Sequence, residues 1–255
     1  MMMKRFSLLV ALVALSGCFS SDPGSVRVVS RFDDGGGVAN GNIVASTGDE
    51  FRSILLGPDI VGSAAALPDS AADPNELSFG NFSTVTILPD NSRLLEGTTL
   101  FRGNTVDFAF VRDRNSEARV AAFGDASESN ILAFGDLLSG TPTGVHTYTG
   151  TLGMGERGPI ANIDLGSFTM AADFGANSYT FTGATNGGDT LNGSGAFNLQ
   201  AGTFTSSTFT AVTSGTTRAA TVFGQLHGNG GTSVSGVFHT NEATPTHHGG
   251  FAGSR

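Results

Sequence analysis

The 255-residue chain has no tryptophan, two tyrosines and a single cysteine. One cysteine excludes an intramolecular disulfide. Without tryptophan, and with short apolar runs, there is no aromatic girdle of the kind that marks a lipid-spanning porin-like barrel. Charge is also sparse: 14 % of residues are charged, and 13 Lys and Arg stand against 22 Asp and Glu, for a net charge of -9. No basic cluster exists, which argues against a general binder of nucleic acid, since phosphate affinity comes from grouped cations. No GxSxG occurs, and no nucleophile, base and metal-ligand set converges, so neither an enzyme nor a cofactor is expected.

What is abundant is glycine, 37 residues, and phenylalanine, 20. Glycine with Thr and Ser, and Phe as the main large apolar residue, points to many short strands joined by tight turns. The apolar share, 39 %, suffices for a core.

The N-terminus reads as a targeting segment. Lys4 and Arg5 precede an apolar run at 6–15, too short to span a bilayer. It ends in Leu15, Ser16, Gly17 and Cys18, which resembles the bacterial lipobox. That resemblance implies lipidation of Cys18 and an outer-membrane lipoprotein facing the cell surface or periplasm, its membrane contact made through acyl chains. Residues 19–42, rich in Ser, Asp, Pro and Gly, are expected to form a flexible tether.

Residues 43–144 carry an irregular β signal. Apolar runs at 51–56, 77–87, 94–101, 105–111, 118–123 and 131–137 are parted by turn dipeptides. Val106, Phe108 and Phe110 alternate with Asp107, as in a sheet with one wet face. Arg112, Arg114 and Arg119, beside Asp113 and Glu117, are expected on a solvated edge.

From 145 to 255 the pattern becomes regular. Eight strands are predicted, at 145–152, 165–173, 178–184, 191–199, 203–212, 219–227, 233–239 and 249–253. Phe168, Met170, Ala172 and Phe174 show the period of two, as do Tyr179 and Phe181. Eight antiparallel strands with short Gly- and Asn-rich links close most naturally into a barrel, which leaves no open edge.

Four segments in this order, Thr-Tyr-Thr-Gly at 147–150, the run at 167–175 ending Ala-Asp-Phe-Gly, Gly-Ser-Gly-Ala-Phe at 193–197 and Ala-Gly-Thr-Phe-Thr at 201–205, are followed by Gly-rich strands at 224–227 and 236–251. Together they resemble the C-terminal barrel of transferrin-binding-protein-B-like surface lipoproteins. The family often has Glu before the closing Gly-Gly-Phe; here His247 and His248 stand there. The resemblance implies an all-β chain, a handle-like sheet at 43–144 followed by an eight-stranded barrel at 145–255. It also implies a binding role, for a host or environmental protein or an iron- or haem-bearing ligand. The family's contacting loops vary, so no ligand-binding residue carries over. The alternative is a structural or adhesive surface lipoprotein with no small ligand.

Remaining motifs point to little chemistry. The GxGxxG at 153–158 precedes Pro159 and a strand, not a helix, so it does not read as a dinucleotide site. His227, His239, His247 and His248 lie close in sequence. The plain expectation for them is exposed loop histidines. The sharper one places His239, His247 and His248 together at one end of a hairpin as a weak zinc or haem site.

Overall fold

A computed structural model describes the strands at 26–32, 38–43, 53–55 and 76–78. From residue 82 it describes the chain to Arg255, apart from 102–103, 125, 127–128, 137, 157 and 244. Nine strands come first: β1 (Val26–Phe32), β2 (Val38–Ile43), β3 (Ser53–Leu55), β4 (Glu76–Ser78), β5 (Phe82–Ile87), β6 (Arg93–Phe101), β7 (Asn104–Arg112), β8 (Ala118–Gly124) and β9 (Ser129–Asp136). Seven of them form one sheet in the order β2-β1-β9-β8-β7-β6-β5, and β3 pairs with β4. Two of these strands, β1 and β2, fall on the stretch 19–42 expected to form a tether. β1 pairs antiparallel with both β2 and β9. The Val-Arg-Val-Val run beginning at Val26 has strand propensity that its polar neighbours concealed.

Eight more strands follow: β10 (Val145–Glu156), β11 (Asp164–Asp173), β12 (Ser178–Thr185), β13 (Thr190–Asn198), β14 (Thr203–Thr213), β15 (Thr216–His227), β16 (Ser233–Thr240) and β17 (His247–Ser254). They close into an antiparallel barrel in sequence order, with β10 pairing both β11 and β17. All eight expected strands are present, most of them slightly longer than the sequence pattern suggested. The GxGxxG glycines Gly153 and Gly155 lie within β10, and a 3-10 turn at Ile160–Asn162 follows.

The barrel is filled, not hollow. Inward positions supply Tyr148, Phe168, Tyr179, Phe181, Phe197, Phe204, Phe209, Phe238 and Phe251, all buried with Leu152, Met154, Met170 and Leu191. The rings of Phe168, Tyr179, Phe181, Phe197, Phe204, Phe209 and Phe251 form a continuous chain. Phe168 lies 5.0 Å from Phe181 and 5.2 Å from Phe251, Phe181 lies 4.9 Å from Phe251, and Tyr179 lies 5.1 Å from Phe204. Burying each ring stabilises the fold by about 1.5–3 kcal/mol. Glycines make room for them: a Cβ on Gly249 would stand 2.5 Å from Phe238.

The sheet packs against one side of the barrel. Leu94, Val111, Val120, Ala122, Ile131 and Ala133 of the sheet share a core with Val237 and Ala252 of the barrel. The contact runs through β8 and β9 on β16 and β17. Gly250 marks a close approach of their apolar faces, since a Cβ there would meet Val120 at 2.6 Å and Ile131 at 2.9 Å.

Candidate functional site

Antiparallel order gives the barrel two mouths. One is stoppered by 138–144, the link from the sheet. Leu138 packs on the barrel core beneath it, and a Cβ on Gly202 would stand 2.9 Å from its side chain. Buried Pro142 lies over Gly231. The Ser139 amide donates to Gly228 O at 3.1 Å, and the Phe174 amide to Gly144 O at 3.0 Å. Tyr148, buried beneath, donates its hydroxyl hydrogen to Gly231 O.

The other mouth carries the connections 157–163, 186–189, 214–215 and 241–246. Polar contacts tie each to the next. The Gly187 amide donates to Asp164 Oδ2 at 2.5 Å and the Ser214 amide to Asp189 Oδ1 at 2.9 Å. Arg218 pairs with Glu242 at 3.1 Å. His247 Nε2 lies 4.0 Å from Glu156 Oε1, which closes the ring back to β10. Burial, followed by repulsion from Arg218, holds His247 below its ordinary value of 6.5, against the pull of Glu156, Asp189 and Glu242. Near neutral pH the His247–Glu156 contact therefore joins a neutral imidazole to a carboxylate. This laced rim is the barrel's polar end, and sequence reading missed it because each acid looked like an ordinary turn residue.

The histidines are not exposed loop residues. His227 and His248 are 0 % exposed and His247 is 4 % exposed. β16 and β17 lie in the wall covered by the sheet. His248 Nε2 is 2.8 Å from Ser129 Oγ. His227 Nδ1 is 2.9 Å from Asp136 O and its Nε2 is 2.7 Å from Ser235 Oγ. His239 is half-buried, its ring 6.3 Å from Phe223.

β16 and β17 are paired as expected, with His239 opposite His248. His247, one residue on, points to the other face, because successive strand residues alternate. The set His239, His247 and His248 is thus split between the two faces of the wall, and His227 sits at the opposite end of β16, paired with Ser233. Among the described residues no three His, Cys, Asp or Glu side chains gather as a metal site. Cys18 lies outside the described residues.

The arginines also depart from expectation. Arg112 and Arg119 are 6 % and 4 % exposed, whereas Arg114 is exposed. Arg112 ends β7 and Arg119 lies in β8, and the turn between them is docked on the barrel through Asp113 and Glu117. Arg119 donates to Asp136 Oδ1 at 3.0 Å and to Ser116 O at 2.5 Å.

Around that turn runs a polar seam between sheet and barrel. Ser233 Oγ, at the start of β16, lies 2.6 Å from Asp113 Oδ2 and 2.9 Å from Glu117 Oε2. Thr232 donates to Glu117 Oε2 at 2.5 Å, and Asn115 Nδ2 to Ser233 Oγ at 3.3 Å. Ser92 and Thr151 meet at 3.1 Å at the other side of the interface.

A closed eight-stranded antiparallel barrel with a sheet packed on one wall defines an all-β, two-part lobe, and solved structures share it. The fold is that of a lobe of transferrin-binding protein B. The intact Ap-TbpB, with N and C lobes, superposes with a TM-score of 0.55 at 10 % identity, covering 90 % of this chain and 46 % of that one. A transferrin-binding protein B variant from Haemophilus parasuis gives 0.53 at 10 % identity, covering 91 % and 44 %. The isotype 1 protein from serogroup B Neisseria meningitidis gives 0.50 at 11 %, covering 91 % and 43 %. The chain spans less than half the length of each of these structures. No protein-family model and no curated protein matches it in sequence.

Proposed function

We propose that the chain is a lipid-anchored bacterial surface protein that captures a protein partner, or an iron- or haem-bearing ligand, on its barrel and sheet loops. The observation that carries this reading is the likeness of sheet and barrel together, over nine-tenths of the chain, to proteins whose name states that they bind transferrin. The filled barrel interior supports contact on the outside, at the rim and loops, over a small ligand held within. The lipobox-like run before Cys18 supports the anchor, which would leave the chain facing outward or into the periplasm.

Binding is tested by presenting transferrin, haem and haem-carrier proteins to intact cells that display the full chain. Saturable capture of one of them is expected. Display without capture of any returns the chain to an adhesive or structural role. The anchor is tested by Cys18→Ala, which should abolish incorporation of a palmitate analogue. Equal labelling of both proteins would show that no acyl chain sits on this thiol.

A further inference from the structure

We propose that Asp113, Ser233 and Glu117 form a proton-holding clasp between sheet and barrel, in which a carboxylic acid on Asp113 donates to Ser233 and Ser233 donates to Glu117.

The count of hydrogens carries it. A serine hydroxyl has one proton to give and two lone pairs to receive with. Ser233 Oγ, wholly buried, has three partners: Asp113 Oδ2 at 2.6 Å, Glu117 Oε2 at 2.9 Å and Asn115 Nδ2 at 3.3 Å. Asn115 can only donate through that nitrogen, so it takes one lone pair. With both acids ionised, the single Ser233 proton serves one carboxylate, and the other faces an oxygen lone pair within 3 Å. Such a contact is costly away from water. With one proton on Asp113, Ser233 receives from Asp113 and Asn115 and gives to Glu117, and every contact has its hydrogen. Glu117 is the better end of the chain because Thr232 already donates to the same oxygen.

Asp113 is the acid that keeps the proton. It is 2 % exposed, and burial raises its affinity for a proton above the ordinary value of 3.8. The amides of Glu117 and Ala118, the charge of Arg119 and, when its hydrogen turns to Asp113 instead of Glu117, the Ser233 hydroxyl act the other way, yet burial prevails. On the sheet, Arg119 is held by Asp136 and two backbone carbonyls, and Arg112 is buried in the adjoining strand. On the barrel, Arg255 reaches Gly230 O. His227, in the same seam, is held neutral by burial and donates to Asp136 O. The clasp joins the β7–β8 turn to the β15–β16 turn, so loss of its proton as pH rises loosens the sheet from the barrel.

The whole chain, labelled with carbon-13 at aspartate side-chain carbons, is titrated by NMR. The Asp113 signal should show a midpoint above 3.8, and a midpoint at or below 3.8 would overturn the clasp. Glu117→Gln supplies an amide hydrogen to Ser233, removes the need for the shared proton and should lower that midpoint. An unmoved midpoint would reduce Asp113 to a merely buried acid. In thermal unfolding, Asp113→Asn should gain on the wild type as pH rises through the midpoint and show no gain below it. A difference constant with pH would also sink the idea.

Discussion

The two walls of the barrel are built to different rules. On the far wall, β12 alternates strictly between exposed and buried, with Tyr179, Phe181 and Gly183 inward and Thr180, Thr182 and Ala184 outward. On the near wall, β17 is buried at every position. One wall is a surface and the other is an inner layer of the molecule. The sequences differ accordingly. The far wall shows Thr and Ser outward, with Asp189 as the one charge between Asp173 and Arg218. The near wall turns Gly250 and Ala252 toward the sheet, small enough for close approach, together with polar residues that bond across, Ser233, Ser235 and His248. A strand buried on both sides needs hydrogen-bond partners for its polar groups, and the seam supplies them to Ser233, Ser235 and the Nε2 of His248.

The shared interior should respond most strongly. Phe251 touches Phe168, Phe181 and Phe204 from the near wall. Phe251→Ala should cost about 3–5 kcal/mol in denaturant unfolding. A loss below 1 kcal/mol would mean that the far wall packs without it.

Gly250→Val tests the near wall alone. Its methyl groups would push into Val120 and Ile131, and overpacking of this kind costs about 1–3 kcal/mol. Sheet and barrel amides along β8 and β17 should exchange faster together. Protection lost only in the barrel would contradict a shared layer.

His227 gives the near wall a pH dependence on the acid side. Burial holds it at about 3, against 6.5 when free. A depressed base contributes stability in full above 6.5 and loses it as pH falls toward the folded value. Stability should therefore drop across that window by up to about 1.4 kcal/mol per pH unit from this group. His227→Gln should flatten that part of the slope; an unchanged slope would assign the acid sensitivity elsewhere. The Asp113 clasp runs in the opposite sense, gaining as pH falls, so the two are separated by measuring each variant across the range.

The smallest effect is expected outside. Thr182→Lys on the far wall should change stability by less than about 0.5 kcal/mol, because its side chain already faces water. A larger loss in unfolding would show that this wall is covered.

Much of the barrel was legible in the chain. Period-two alternation and Gly-Asn turns placed all eight strands, because an inward aromatic and an outward threonine differ in polarity at each step. The pairing of β16 with β17 followed from their short connection. The near wall misled for the same physical reason: where both faces are buried, polarity no longer reports which way a side chain points. His227 and His248 look like solvent residues in the sequence, as do Arg112, Arg119 and Asp113. Burial of all five follows from where the sheet docks, and that docking joins residues more than a hundred positions apart, such as Asp113 and Ser233. Local composition determined that this chain would be β-rich, would close its strands and would fill them with phenylalanine. Only the tertiary structure decided which wall became surface and which became seam, because that depends on a second sheet whose contact the local pattern does not encode.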